Sequence, residues 1–177
     1  PQWQLDLNVS TNGARLDAAQ QLAVICHDSG VYIVHMDLQI ANRAITTSDA
    51  VNDADWDAEG DLWLAYYAGR RRAEEYDSEG LTGVLSPQIQ TGYSAFEILS
   101  DGRIVMGAYD KKVHVSSNDG VALTNLAESS AIVNVVMEDH NGDLLVGTAN
   151  GILYRYDTTS WAVETLSLSH GSSIVSL

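Results

Sequence analysis

The chain is poor in the residues that usually brace or punctuate a fold. Among its 177 residues there is one cysteine, Cys26, inside the apolar run "LAVICH". A single thiol cannot close an intramolecular disulfide, and a free cysteine in such a run reads as a small buried apolar side chain. The only prolines are Pro1 and Pro87, and neither interrupts an inner strand of the repeats described below. Basic residues are scarce: 9 Lys and Arg stand against 24 Asp and Glu, a formal net charge of −15. That field repels phosphates and anionic lipid surfaces, so nucleic acid is disfavoured as a partner. No run of 18 apolar residues is present, which excludes a transmembrane helix and any membrane insertion by one. The first residues, "PQWQLDLNVS", lack the basic and apolar regions of a signal peptide. The expectation is a soluble chain of unassigned compartment. With 45% hydrophobic and 19% charged residues it is too apolar to be disordered.

Catalytic signatures are missing too. There is no G-x-S-x-G elbow, no G-x-x-x-x-G-K-[ST] or G-x-G-x-x-G phosphate loop, and no H-E-x-x-H. His27, His35, His114, His140 and His170 are scattered without zinc-ligand spacing. Asp53 and Asp55 in "VNDADWD" are the best candidates for catalytic carboxylates. Hydrogen bonding at the start of a strand is the simpler role for them. No catalytic residue, cofactor or metal is therefore assigned.

What the chain has is a repeat. "LAVICHDSGVYIVHMD" from Leu22, "LWLAYYAGRRRAEEYD" from Leu62, "IVMGAYDKKVHVSSND" from Ile104 and "LLVGTANGILYRYD" from Leu144 start 40, 42 and 40 residues apart. The segments end on Asp37, Asp77, Asp119 and Asp157. Each is preceded by a short apolar strand ("ARLDA", "NDADWD", "AFEIL", "AIVNVVM") and a polar turn. An alternating third strand and a fourth strand ("QIANRAITT", "GVLSPQIQT", "GVALTNLAE", "AVETLSL") complete the unit. Continuous apolar runs bounded by turns suit strands covered on both faces, and alternation suits half-exposed ones. No helical periodicity competes with this pattern. Four short strands at this period predict an all-β fold, a β-propeller whose blades span about 14–47, 51–91, 94–127 and 131–168.

At these residues the chain resembles the WD-repeat propellers. "LSLSHGSSIVSL" is similar to that family's histidine-led first strand, and the Asp-Gly and Asn-Gly turns and the "EYD" and "RYD" endings resemble its turn and its Trp-Asp ending. No repeat carries the Gly-His pair and none ends in Trp-Asp. "EDHNGDLLVGTANGILYRYD" also resembles the propeller repeats of bacterial sensor proteins. The resemblance implies a module that presents surfaces to partners. "WQLDLNVS" and "SSIVSL" fit as the outer and inner strands of a further, incomplete blade. Either four blades close tightly on themselves, or another chain, which can be a second copy, or more of a longer polypeptide completes the ring; the expectation is a partial ring of the latter kinds.

Two kinds of turn carry most of the charge. Asp57, Glu59 and Asp61, and Asp139, Asn141 and Asp143, place oxygen ligands at alternate positions as a calcium loop does. The twelfth positions of those loops are Ala68 and Asn150, not a bidentate Glu, so tight turns are the simpler reading. Arg70, Arg71, Arg72 and Lys111, Lys112 occupy equivalent second-to-third-strand turns of neighbouring blades. They are expected to form one basic patch for an acidic or phosphate-bearing partner. Trp161 is expected near the surface at an outer hairpin, as a further partner-binding side chain. The function these features favour is a non-enzymatic protein-interaction or structural scaffold module, a subunit of a larger assembly such as a virion or extracellular particle. A propeller lectin or small-ligand sensor is the alternative, and a metal-dependent hydrolase comes third.

Overall fold

Each repeat folds as one antiparallel meander. The computed structural model describes residues 7–17, 21–66, 73–77, 79–85, 92–116, 123–126, 129–166 and 172–177. Sheet one is β1 (Thr11–Asp17), β2 (Leu22–His27), β3 (Gly30–His35) and β4 (Ile40–Thr46). Sheet two is β5 (Val51–Trp56), β6 (Leu62–Tyr66), β7 (Ala73–Tyr76) and β8 (Leu81–Leu85). Sheet three is β9 (Tyr93–Ile98), β10 (Ile104–Ala108), β11 (Val113–Ser116) and β12 (Leu123–Asn125). Sheet four is β13 (Val133–Glu138), β14 (Leu144–Thr148), β15 (Leu153–Tyr156) and β16 (Val163–Leu166). The strands of each sheet pair in chain order, so the described residues form an all-β array of four antiparallel four-stranded sheets.

The sheets pack face to face in sequence order, with β1 against β5, β5 against β9 and β9 against β13. The cores lie between them. Val24, Val31 and Ile33 meet Val51, Ala54 and Leu64 between sheets one and two. Ala65 and Ala73 meet Tyr93, Phe96 and Met106 between two and three. Val105 and Val113 meet Val133, Val136 and Val146 between three and four. A middle strand is thus covered on both faces, and every residue of β10 is buried. This is why the second strand of each repeat reads as an unbroken apolar run. Each fully buried aliphatic or aromatic side chain contributes roughly 1.5–3 kcal/mol, so these interfaces dominate the cohesion of the array.

The turns explain the recurring polar residues. Between first and second strands, Asp57 N, Leu99 N and Asp139 N donate to the carbonyls of Asp61, Arg103 and Asp143 at 2.8–3.0 Å. Gly60, Gly102 and Gly142 supply the positive φ of 83–89° that these turns need. Asp57 Oδ1 accepts from Glu59 N and Asp61 N, and Asp139 Oδ1 from Asn141 N and Asp143 N. The acidic residues therefore fold their own loops. Two of the aspartates after third strands work similarly: Asp77 Oδ1 accepts from Glu79 N and Gly80 N, and Asp157 Oδ1 from Thr159 N and Ser160 N, whereas Asp37 Oδ1 accepts from Leu38 N.

Inner strands share an irregularity that the sequence reading did not anticipate. The β1–β2, β5–β6, β9–β10 and β13–β14 ladders each skip one inner-strand residue, at Asn12, Asn52, Ser94 and Asn134. These positions are 40, 42 and 40 residues apart. With this bulge β1 starts at Thr11, ahead of the boundary expected at residue 14.

Candidate functional site

A bulge turns its side chain out of the ladder, and here all four turn toward the following unit. Asn12 Nδ2 donates to Val51 O at 3.1 Å, and Asn52 Nδ2 to Ser94 O at 3.1 Å. Ser94 Oγ donates to Val133 O in a very short contact. Asn134 Nδ2 donates to Ile174 O at 3.1 Å and to Ser173 Oγ at 2.6 Å. Asn12 and Ser94 thus hold the first residue of the next inner strand, Asn52 holds the first two residues of its neighbour (Tyr93 O at 3.4 Å), and Asn134 holds residues 173 and 174, through a repeated polar latch.

Beside the latches runs a charged network on the same strands. Arg15 of β1 donates to Glu97 Oε2 at 2.5 Å and to Phe96 O at 2.6 Å, both on β9, and lies 3.5 Å from Asp53 Oδ2 of β5. Asp53 accepts from Ala54 N at 2.9 Å with one oxygen and from Phe96 N at 3.0 Å with the other. Asp55 repeats this two residues on, accepting from Trp56 N and Ile98 N at 3.0 Å. Glu97 Oε1 accepts from Glu138 N of β13 at 3.3 Å. One guanidinium and three carboxylates therefore span all four inner strands.

The electrostatics follow from crowding three acids around one cation away from water. Burial, opposed by Arg15 and reinforced by Asp55, pushes the Glu97 carboxyl up to about 7. Burial also raises Asp53 and Asp55, against the pull of Arg15 and of their N–H donors. Burial alone would lower Arg15, but Asp53, Glu97 and Asp55 outweigh it and hold the guanidinium charged. An open cavity of about 580 Å³ adjoins the network, lined by Asn12, Arg15, Asn52, Asp53, Ser94 and Asn134 and, from another segment, Val175 to Leu177.

A second acidic cluster lies at the end of sheet two. Ligand oxygens of Asp57, Asp61 and Glu75 fall within 4.8 Å of one another. A loop-based reading looks for the third carboxylate at residue 68, whereas the fold brings Glu75 in from β7. Asp57 Oδ2 accepts from Trp63 Nε1 at 3.0 Å, so part of its capacity is already used. Burial, then the charges of Asp57, Asp77 and Glu59, raises Asp61. Burial, opposed by Thr82 and reinforced by Asp57, Asp61 and Asp77, raises Glu75. These are the described residues best placed to take a cation.

The residues expected to bind partners fall in different places. Arg70, Arg71 and Arg72 lie outside the described residues, as does His170. Lys111 is exposed on the β10–β11 turn with φ of 66°, and its carbonyl accepts from Ser129 N and Oγ at 2.8 and 2.7 Å. Lys112 follows it, its N–H donating to Asp110 Oδ1 at 3.0 Å. Trp161 sits in the β15–β16 turn, at the opposite end of the sheets from the lysines. It is half-buried, packed on the core between sheets three and four, with the Arg103 guanidinium 4.9 Å from its ring centroid. The structure therefore does not gather Trp161 and the lysines into one surface. Asp53 and Asp55 do meet at the inner strands, as cross-ties to β9. Arg15, Glu97 and the latch residues escaped the sequence reading, although polar residues recurring within apolar inner strands were the available signal.

The molecule defined by these features is an array of antiparallel sheets tied along their inner strands. No protein-family model matches the chain, and no curated protein matches its sequence. Among solved structures it is similar to the extracellular domain of a proposed hybrid two-component system from B. thetaiotaomicron, with a TM-score of 0.69 at 16% identity. The match covers 87% of this chain and 23% of that one, so the chain spans under a quarter of that protein's length. The likeness is one of fold.

Proposed function

We propose that the four sheets are consecutive blades of a WD-like β-propeller and that the chain is a non-enzymatic module through which other protein chains are held. The 40–42-residue period, the meander order and the packing along inner strands support the propeller reading. The observation that carries the functional reading is the use made of the inner carboxylates. Asp53 and Asp55 each bind the N–H of their own neighbour with one oxygen and an N–H of β9 with the other. Carboxylates engaged in this way are joints between blades, whereas a hydrolase needs such groups turned to a substrate or metal. Function then belongs to surfaces, and the exposed Lys111 turn with Lys112 is the described part of the basic patch expected from the sequence; Arg70, Arg71 and Arg72 join it by their equivalent position in the repeat, outside the described residues.

Cross-linking mass spectrometry tests this in the extract from which the protein comes. The chain carrying R70E, R71E, R72E, K111E and K112E should lose cross-linked partners that the unaltered chain captures. An identical partner set from both removes the basic surface as the docking site. The polar cavity of about 580 Å³ favours a second reading, a small-ligand sensor. Saturable binding of a glycan or metabolite, abolished by Arg15→Met in a folded protein, would establish that reading instead.

A further inference from the structure

The first turns of sheets two and four are built alike. Asp57 and Asp139 each open the turn and accept two of its N–H groups with Oδ1. Asp61 and Asp143 close it, their carbonyls accepting from Asp57 N and Asp139 N. In the ladders, Trp63 of β6 pairs with Glu75 of β7 as Leu145 of β14 pairs with Arg155 of β15. A carboxylate in sheet two therefore stands where sheet four has a guanidinium. That guanidinium is seated on its turn: Arg155 Nε donates to Asp143 Oδ2 at 2.7 Å, and Nη2 donates to the same oxygen in a very short contact. In sheet two, Asp61 and Glu75 bring oxygens within 4.8 Å of each other and of Asp57. Among the described residues no cation pairs with any of the three.

Beside this group lies a cavity of about 360 Å³ between sheets two and three. Asp57, Glu59, Trp63 and Glu75 line it from one sheet and Ile98 and Ile104 from the other. Each of these sheets is flanked by a sheet on both sides, so the cavity does not arise from either end of the chain. The Trp63 indole is fixed there by Nε1, which donates to Asp57 Oδ2 at 3.0 Å. Burial, together with the neighbouring acids, raises the carboxyls of Asp61 and Glu75, the mark of negative charge that nothing local offsets. A hard metal ion fits this set poorly. Calcium takes about 6–8 oxygen ligands, and both oxygens of Asp57 are already engaged by N–H groups. A guanidinium needs only the two remaining carboxylates, and an aliphatic stem suits the aromatic and apolar walls.

We infer that this cavity binds a small guanidinium compound with an aliphatic stem, its cation held by Asp61 and Glu75 and its stem lying along Trp63, Ile98 and Ile104. Sheet four supplies the precedent, a guanidinium held by the equivalent aspartate of the same turn and reaching it from the equivalent cross-strand position. The indole adds its own attraction for a cation, and the volume falls within the range of small-molecule sites. The cavity lies at the opposite end of the sheets from the Lys111 turn. It therefore goes beyond the reading of the chain as a docking module, and either can fail without the other.

Isothermal titration calorimetry of the full chain with N-butylguanidinium chloride, against a sodium chloride blank, tests the inference. Saturable binding at one site per chain is expected. Glu75→Arg rebuilds the arrangement of sheet four and should weaken binding about tenfold or more, because the chain then fills the site with its own guanidinium. Asp28→Arg makes the same change of charge on the exposed β2–β3 turn and should leave binding unchanged. Thermal unfolding checks that both variants are folded. Asp61→Asn, which keeps the backbone contact of the turn, must also weaken binding and carries the comparison if Glu75→Arg misfolds. Absence of saturable binding overturns the inference, as does equal binding by folded Glu75→Arg or an equal loss in Asp28→Arg. Binding of n-butylammonium as tight as that of N-butylguanidinium would mean that charge alone is read. Binding of calcium chloride in place of the organic cation would mean a metal site, and either result overturns the guanidinium assignment.

Discussion

Glu97→Gln tests whether the charged network joins the inner strands in the way its geometry indicates. Glu97 is only 11% exposed, accepts from Arg15 and Glu138 N, and has its carboxyl raised from 4.5 to about 7 by burial. A folded-state value above the unfolded one means that the native protein binds a proton the unfolded chain releases. The resulting stability is fully present below pH 4.5 and is lost as pH rises through about 7. At 1.36 kcal/mol per unit the loss is up to about 3 kcal/mol, or roughly 6–12 °C in Tm for a chain of this size. Asp53 and Asp55 are raised too and add slope of the same sign. Asp101, lowered first by its hydrogen bond from Arg103, acts below its ordinary range and so outside this window. Urea unfolding of the wild type at pH 4.5, 5.5, 6.5 and 7.5 should show stability falling with pH. Glu97→Gln, which cannot titrate, should show a clearly shallower fall. A wild-type curve flat across that interval, or a variant with an unchanged slope, refutes the reasoning.

Two further substitutions probe the joints between sheets. Arg15→Met leaves Asp53, Asp55 and Glu97 without their shared cation and should cost about 3–5 kcal/mol at pH 7.5 in urea unfolding, with a smaller cost at pH 5, below the value of about 7 at which Glu97 takes up its proton. An equal cost at both pH values would mean that the arginine acts by packing alone. Gly107→Ala places a methyl group 2.4 Å from Val133 Cγ1 and should destabilise by about 1–3 kcal/mol. Gly80→Ala, where nothing lies within 4 Å, shows by comparison the cost of the left-handed backbone alone, its φ being 150°.

The sheets were legible in the sequence because their signals are local. A strand covered on both faces must be apolar throughout, so "IVMGA" announces β10 without knowledge of its neighbours. The recurring Asp after each third strand was visible as part of the repeat, and in two units its reason is equally local: Asp77 and Asp157 accept N–H groups two and three residues on. The acidic loops were legible as turns for the same cause. The network was not legible, because Arg15 meets Glu97 across 82 positions and Asp53 meets Phe96 across 43. No local pattern distinguishes such residues from polar interruptions of a strand. The latches stood between these extremes. They share the repeat period, but Ser94 replaces Asn in one unit, and a bulge moves the polar residue off the alternation that would have marked it. Trp161 was expected at the surface, and the structure half-buries it on a core that only the neighbouring sheet supplies, under Arg103.

The direction of the latches has a consequence for how such a chain is made. Every bulge residue donates forward, from Asn12 to Val51, from Asn52 to Ser94, from Ser94 to Val133 and from Asn134 to Ile174. During synthesis the donor therefore leaves the ribosome before the carbonyl it will hold. Each unit thus carries the donor and the apolar face that its successor needs, so the chain can lengthen at its carboxyl side by adding units of one pattern, without a change in the units already present.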